Sequence, residues 1–219
     1  MATLGQSMIK NAIGLAIFAV VTAGLIAVTQ VLTAERIEHQ QREAQASALR
    51  EIIPPRDHDN SLLDDRFQVP ATASLGNREP IEGHRARQGE DVIGVILPVI
   101  APDGYSGNIH LLVGISHGGE VLGVRVTSHQ ETPGLGDKIE LRKGDWILSF
   151  DGRALDNPDS SGWQVVRDGG EFDQFTGATI TPRAVVRAVY RALHFFDEHR
   201  DFLLDQTGNG DQLILDEEH

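Results

Sequence analysis

Hydrophobic and polar positions divide this chain unevenly. From Asn11 to Ala34 the sequence NAIGLAIFAVVTAGLIAVTQVLTA holds no charged residue, a run of 24 residues. Coiled as a helix it measures about 36 Å, more than a bilayer's hydrocarbon core of about 30 Å. It therefore predicts a transmembrane helix at 11–34, behind a short segment at 1–10. A cleaved signal peptide is the alternative, but its apolar core would run about 7–15 residues and end in a small-x-small site. This run is longer, and Leu32-Thr33-Ala34 fits such a site poorly. Helical periodicity continues over 35–53 through Ile37, Ala44, Ala48, Leu49 and Ile52, with Glu38 four residues before Arg42. Pro54-Pro55 ends it. The expectation is one long helix whose stalk, 35–53, carries a domain away from the bilayer.

Residues 54–90 are polar and rich in turn formers, which predicts a linker or surface excursion without a strand. Its acidic cluster, Asp57, Asp59, Asp64 and Asp65, reads as exposed loop. At Asp91 the pattern changes. DVIGVILPVI, NIHLLVGIS and EVLGVRVTS are short apolar runs that predict strands, the last two joined as a hairpin through His117-Gly118-Gly119. Further strands are expected at Trp146 to Phe150 and Trp163 to Arg167. From Pro182 to Arg200 a helix is predicted, with Val185, Val189, Leu193 and Phe196 on one face and Val186 beside it. The pattern describes an α+β domain over 91–205 with a mainly antiparallel sheet, an acidic tail at 206–219, and one N-terminal transmembrane helix.

Composition narrows the chemistry. The chain has 219 residues, with Lys+Arg 19 against Asp+Glu 32 and a formal net charge of −13. That balance argues against nucleic acid as a partner. Lys10 precedes the apolar run while Arg36 and Arg42 follow it, so the flanking charges do not orient the span. Cysteine is absent, which removes disulfides, thiolate nucleophiles and Cys-ligated metal or iron–sulfur centres. The nine histidines follow no metal-ligand spacing, and no metal site is expected.

The segment DQFTGATITP, Asp173 to Pro182, carries the strongest chemical signal. Pro182 suits the first turn of a helix, and Thr181 before it suits the N-cap. Thr179 then projects from a loop entering a helix N-terminus, where free N–H groups and the macrodipole favour a phosphate. Gly177 and Ala178 leave the hydroxyl uncrowded. Residue pattern alone also allows an ordinary capped turn.

The same segment resembles the flavinylation motif of the FMN-binding domain family, an acidic residue followed by Ser/Thr-Gly-Ala-Thr and a closing Ser/Thr. The resemblance implies FMN joined through a phosphodiester to Thr179, within Thr176, Gly177, Ala178, Ile180 and the closing hydroxyl of Thr181. It also implies recognition of Asp173 by a dedicated flavin transferase that takes FMN from FAD with magnesium. His129-Gln130-Glu131-Thr132-Pro133-Gly134-Leu135-Gly136 is similar to the family's Glu-Thr-Pro-Gly-Leu-Gly loop. Glu131, Thr132, Gly134, Leu135 and Gly136 are thereby implied as cofactor-binding, with Glu131 either bonding the cofactor or fixing the loop. Tyr105 and Gly107 in DGYSGNI match a further family pattern. His129, Trp146 and Trp163 could approach the ring, and Arg142, Lys143 and Arg153 could face it or a partner, although packing or solvated charge explains each as well.

Within the family the whole chain resembles the G subunits of Rnf (Rsx) ion-translocating electron transport complexes. That implies a cytoplasmic 1–10, a periplasmic domain anchored in the bacterial inner membrane, and an electron relay that turns over no substrate of its own. The complex would couple ferredoxin and NAD oxidoreduction to cation movement, with the other Rnf subunits as partners. The C subunit of the sodium-pumping NADH:quinone reductase is the nearest alternative, followed by a membrane-anchored sensor or scaffold.

Overall fold

The computed structural model describes residues 2–205; Met1 and the expected acidic tail at 206–219 lie outside the described residues. Helix α1 runs unbroken over Ala2–Ile52. The chain divides into two compact units, 1–45 and 46–219. In the first unit, Asn11–Ala34 is long and apolar enough to cross a membrane, by length and composition. Leu15, Phe18 and Leu25 within it are exposed. The hydroxyls of Thr22, Thr29 and Thr33 donate to carbonyls one helical turn back, at Phe18, Leu25 and Thr29, so none needs a partner from an apolar surrounding. The expected Glu38–Arg42 pair involves a side chain, that of Glu38, outside the described residues.

The second unit is built on one antiparallel meander. Strands β1 (Arg66–Val69), β2 (Ile81–Gln88), β3 (Asp91–Ala101), β4 (Ile109–Ser116) and β5 (Val121–Ser128) lie in that order. The last three are the strands the apolar runs predict, and Gly119 at φ 93° closes the expected β4–β5 hairpin. Helix α2, Ile180–Glu198, packs on one face through Val185, Val186, Val189, Leu193 and Phe196, all buried against Val95, Leu97, Val99, Leu111 and Val113.

The opposite face is also covered. Leu49, Ile52 and Ile53 of the α1 end bury themselves with Leu62, Ala86 and Ile96. The end of the expected stalk is therefore part of the domain's packing. Gly114 makes the approach possible, since a Cβ there would stand 2.2 Å from Ile52 Cγ2. Arg125 fastens the same end, donating to the Glu51 carboxylate and to the Glu51 carbonyl, each at 3.0 Å. Gly114→Ala is expected to cost about 2 kcal/mol, because packing against a close neighbour forces a backbone shift. Thermal unfolding should then fall by about 4–8 °C.

Four expectations are corrected. Residues 54–90 are no strandless linker: they supply β1 and β2, with Phe67, Val69 and Leu75 in the core. Their polarity conceals this because Arg85 is buried within β2. It donates to the carbonyls of Leu203 and Phe202 at 3.0 and 3.1 Å and lies 4.6 Å from the Phe67 ring centre. The acidic cluster is partly structural as well, Asp65 pairing with Arg87 at 2.6 Å and Asp59 accepting the Gly89 N–H at 2.7 Å.

Trp146–Phe150 is a 3₁₀ helix, not a strand, burying Ile147 and Phe150 at a spacing of one 3₁₀ turn. Around Trp163 to Arg167 the inward alternation of Trp163 and Val165 exists, but without a ladder. Only Val165 bridges, to Phe172, and Val166–Asp168 turns into another 3₁₀ helix.

Candidate functional site

The start of α2 differs from its expected form in a way that exposes a hydroxyl. Ile180 is the first helical residue and Thr179 the N-cap, so Thr181 sits inside the helix rather than capping it. The Thr179 carbonyl accepts the first helical bond, from the Arg183 N–H at 3.3 Å. Its hydroxyl caps nothing. Two features account for that. Thr179 has helical dihedrals, φ −78° and ψ −26°, where a capping residue is usually extended. Pro182 occupies the third helical position, one of the two whose N–H a cap would receive, and proline has none. Among the described residues, the N–H groups of Thr179, Ile180 and Thr181 also make no hydrogen bond.

The preceding turn sets this up. The Ala178 N–H donates to the Phe175 carbonyl at 3.0 Å, and Gly177 takes φ 82°, a value that favours glycine. A Cβ at Gly177 would meet only Leu135 Cδ2, at 3.7 Å, so the approach to Thr179 is open. Thr176 is exposed at the turn's outer corner. Asp173 is exposed too, its carbonyl held by the Trp146 indole N–H at 2.8 Å. Trp146 packs edge-on against Phe150 and Phe175. Trp163 is buried among Phe150, Phe172 and Tyr190. Trp146 thus supports the loop, while Trp163 packs in the core.

Across the opening lies the loop 129–136. Glu131 is 4% exposed and binds inward with both oxygens: Oε1 accepts the Ser106 N–H at 2.9 Å, and Oε2 accepts the Thr181 hydroxyl. One carboxylate therefore joins the DGYSGNI turn, the ETPGLG loop and the first turn of α2. Gly136 is required beside this junction, since a Cβ there would lie 2.9 Å from both Glu131 Oε2 and Thr181 Oγ1.

His129 braces the loop from behind. Its Nδ1 accepts the Glu131 N–H at 3.0 Å, which leaves the proton on Nε2, facing Glu140 at 2.9 Å. Arg142, bonded to Glu140, holds that carboxyl below its ordinary pKa, burial opposes the shift, and His129 adds to it. Asp137 accepts the Gly134 N–H at 2.7 Å and pairs with Lys143 at 3.1 Å. Burial pulls the Asp137 carboxyl upward, but those two partners outweigh it and leave it below the usual value. Arg153 pairs with Glu171 at 2.8 Å. Arg142, Lys143 and Arg153 are thus engaged within the domain.

These segments enclose a pocket of about 320 Å³. Glu131, Thr132, Leu135 and Gly136 form one wall; Gly177, Ala178, Thr179, Ile180 and Thr181 form the other; Tyr105 stands between them. Of the candidates in the two motifs, Thr176, Gly134 and Asp173 stay outside the lining. Tyr105, Leu135 and Ile180 are 68%, 43% and 44% exposed, an apolar rim beside a hydroxyl and free backbone N–H groups. The arrangement can seat a flat apolar ring with an anionic tail at the helix mouth. Sequence reasoning misses the Ser106 N–H, Asp137 and Glu140. The first is a backbone group without sequence signature, whereas an Asp three residues after a glycine turn is at least suggestive.

The FMN-binding domain family matches residues 104–194, and the RnfG N-terminal region matches residues 1–52. A Pseudomonas aeruginosa protein is 51% identical over 199 residues, 91% of this chain and 93% of its own length. A Shewanella oneidensis protein is 46% identical over 94% of this chain and 97% of its own length. One from Vibrio vulnificus is 47% identical over 91% and 94%. Each is named as the G subunit of an ion-translocating oxidoreductase complex.

Proposed function

The chain belongs to the family of G subunits of ion-translocating oxidoreductase complexes, and from that premise we propose that it relays electrons through FMN esterified to Thr179. The observation that carries the reading is the Thr179 hydroxyl: it lines the pocket, caps nothing, and sits beside free N–H groups at the mouth of α2. The residues present fit the group. The N–H groups of Thr179, Ile180 and Thr181 suit its phosphate, while Tyr105, Leu135 and Ile180 offer a flat ring an apolar seat. FMN supplies reversible one- and two-electron chemistry that no side chain here possesses, cysteine being absent.

What the chain itself does is hold and orient. Glu131 clasps Thr181 to Ser106, which fixes the first turn of α2 against the glycine loop. Pro182 and the helical dihedrals of Thr179 keep its hydroxyl uncommitted. A threonine hydroxyl is a weak nucleophile without a base. Among the residues lining the pocket, the only carboxylate, Glu131, already has both oxygens engaged. We assign the base to a flavin transferase that recognises Asp173 and uses magnesium. The step forms a bond from Thr179 Oγ1 to the FMN phosphorus of FAD, breaks the pyrophosphate, releases AMP, and passes the hydroxyl proton to that base.

The apolar helix at Asn11–Ala34 would anchor the subunit in the bacterial inner membrane, with residues 1–10 cytoplasmic and the domain on the periplasmic side. There it would relay electrons among the complex's other subunits as ferredoxin and NAD exchange them, without turning over a substrate itself. The shared name of relatives that match along nearly their whole length favours this reading over a C-type subunit of the sodium-pumping NADH:quinone reductase. Purification of the tagged full chain in mild detergent tests it. The chain should bring multi-span membrane subunits in stoichiometric amounts, together with flavin that the complex's electron donor bleaches. A chain recovered alone, or flavin that the donor leaves oxidised, would contradict the reading.

A further inference from the structure

Glu131 differs from Asp137 and Glu140, the two carboxylates that follow it in the chain. Asp137 is paired with Lys143, and Glu140 with Arg142 and His129. Both Glu131 oxygens instead accept hydrogen bonds from neutral donors, the Ser106 N–H and the Thr181 hydroxyl. Acceptance at both oxygens is the pattern of an ionised carboxylate. Among the described residues no cation pairs with it, and it is 4% exposed, so little water screens it. The pocket that it lines contains no lysine, arginine or histidine. Its neighbours across the cavity are hydroxyls, glycines and apolar side chains.

We propose that Glu131 poises the redox potential of the flavin, a fixed negative charge that makes the ring harder to reduce. The inference rests on the reading that FMN occupies this pocket. Reduction of the oxidised ring by two electrons and one proton leaves it with a negative charge, the electrons coming from whichever redox partner delivers them. A carboxylate within about 10 Å, at the effective dielectric constant of about 20 that suits protein sites, opposes that charge. The effect is about tenfold in the ratio of reduced to oxidised ring, which is about 30 mV for a two-electron couple. A potential held down in this way suits a relay that receives electrons from a strong reductant and passes them on. The same carboxylate thus both clasps the site and sets its electrical environment.

The test is an anaerobic redox titration of the flavin-loaded full chain in detergent, followed at the flavin absorbance. Glu131→Gln keeps the side chain's shape and can still bond both Ser106 and Thr181, but removes the charge. Its potential should rise by about 30 mV, about tenfold in the reduced-to-oxidised ratio, with covalent flavin retained. Glu131→Asp is the second variant, should Glu131→Gln fail to fold or load. It shortens the clasp but keeps the charge, so its potential should stay at the wild-type value. A role limited to holding the loop would move the potential of Glu131→Asp as well. An unmoved potential in flavin-loaded Glu131→Gln, or a potential raised by about 30 mV in Glu131→Asp, overturns the proposal while leaving the flavin assignment intact. Wild-type chain without covalent flavin would instead overturn the assignment on which it rests.

Discussion

Thr179→Ala is expected to carry no flavin at all: on a denaturing gel its band should show no ultraviolet-excited fluorescence, whereas the wild-type band should glow. The loss is complete rather than graded because the variant lacks the only atom through which the proposed ester forms. Its neighbour Thr176 is exposed on the turn but does not line the pocket, and Thr181 spends its hydroxyl on Glu131, so neither offers a substitute. The fold should scarcely notice. Replacing a capping threonine by alanine costs about 1 kcal/mol when a cap bond is lost, but the Thr179 hydroxyl makes none. Unfolding temperatures within about 2 °C of wild type, read on the full chain without flavin, would separate lost chemistry from lost structure.

Thr181→Val should have the opposite profile, a stability defect first. Valine preserves the branched shape of Thr181, which is 1% exposed, but deletes the hydroxyl that donates to Glu131 Oε2. A buried carboxylate oxygen then loses its donor, and hydrogen bonds to charged groups contribute about 1.5–3 kcal/mol. Because Thr181 and Glu131 are only 1% and 4% exposed, the upper end applies, and a cost of about 3 kcal/mol is expected. For a domain of this size that lowers thermal unfolding by about 6–12 °C. Circular dichroism of the full chain in detergent would read it. Flavin loading should also fall, since the first turn of α2 is no longer tied to the Ser106 turn, but it should not vanish, because the Thr179 hydroxyl remains. A melting temperature equal to wild type would show that the clasp contributes nothing.

Much of this architecture is written in local pattern. The uncharged run at 11–34, the alternation through β3 to β5 and the amphipathic spacing of Val185, Val189, Leu193 and Phe196 each bury one kind of surface, so periodicity exposes them. The segment from Asp173 to Pro182 and the glycine loop are legible for a related reason: they depend on small residues at fixed offsets, which leave a mark in sequence. What escaped were features that depend on partners distant in the chain. Strand β2 looks polar because Arg85 is satisfied by carbonyls more than a hundred residues away. The packing of Leu49 and Ile52 on the sheet turns on Gly114, whose importance appears only once Ile52 lies above it.

The start of α2 shows a subtler limit. Pro182 suits the first turn, but its exact place decides which threonine is left free, and a shift of two residues moves the cap from Thr181 to Thr179. The choice is made by Glu131, which draws Thr181 inward. Trp146–Phe150 is ambiguous for a simpler reason. A run of five largely apolar residues satisfies a strand or a 3₁₀ turn equally, and only the buried pair Ile147 and Phe150 distinguishes them.

Peptide mass mapping of the full chain, isolated from cells that contain the flavin transferase, tests the flavin ester most directly. The peptide containing Asp173 to Pro182 should be heavier by one FMN less one water, with fragmentation placing the added mass on Thr179. Material made without the transferase should show the bare peptide. An unmodified Thr179 in chains taken from complexes that still conduct electrons would contradict the account.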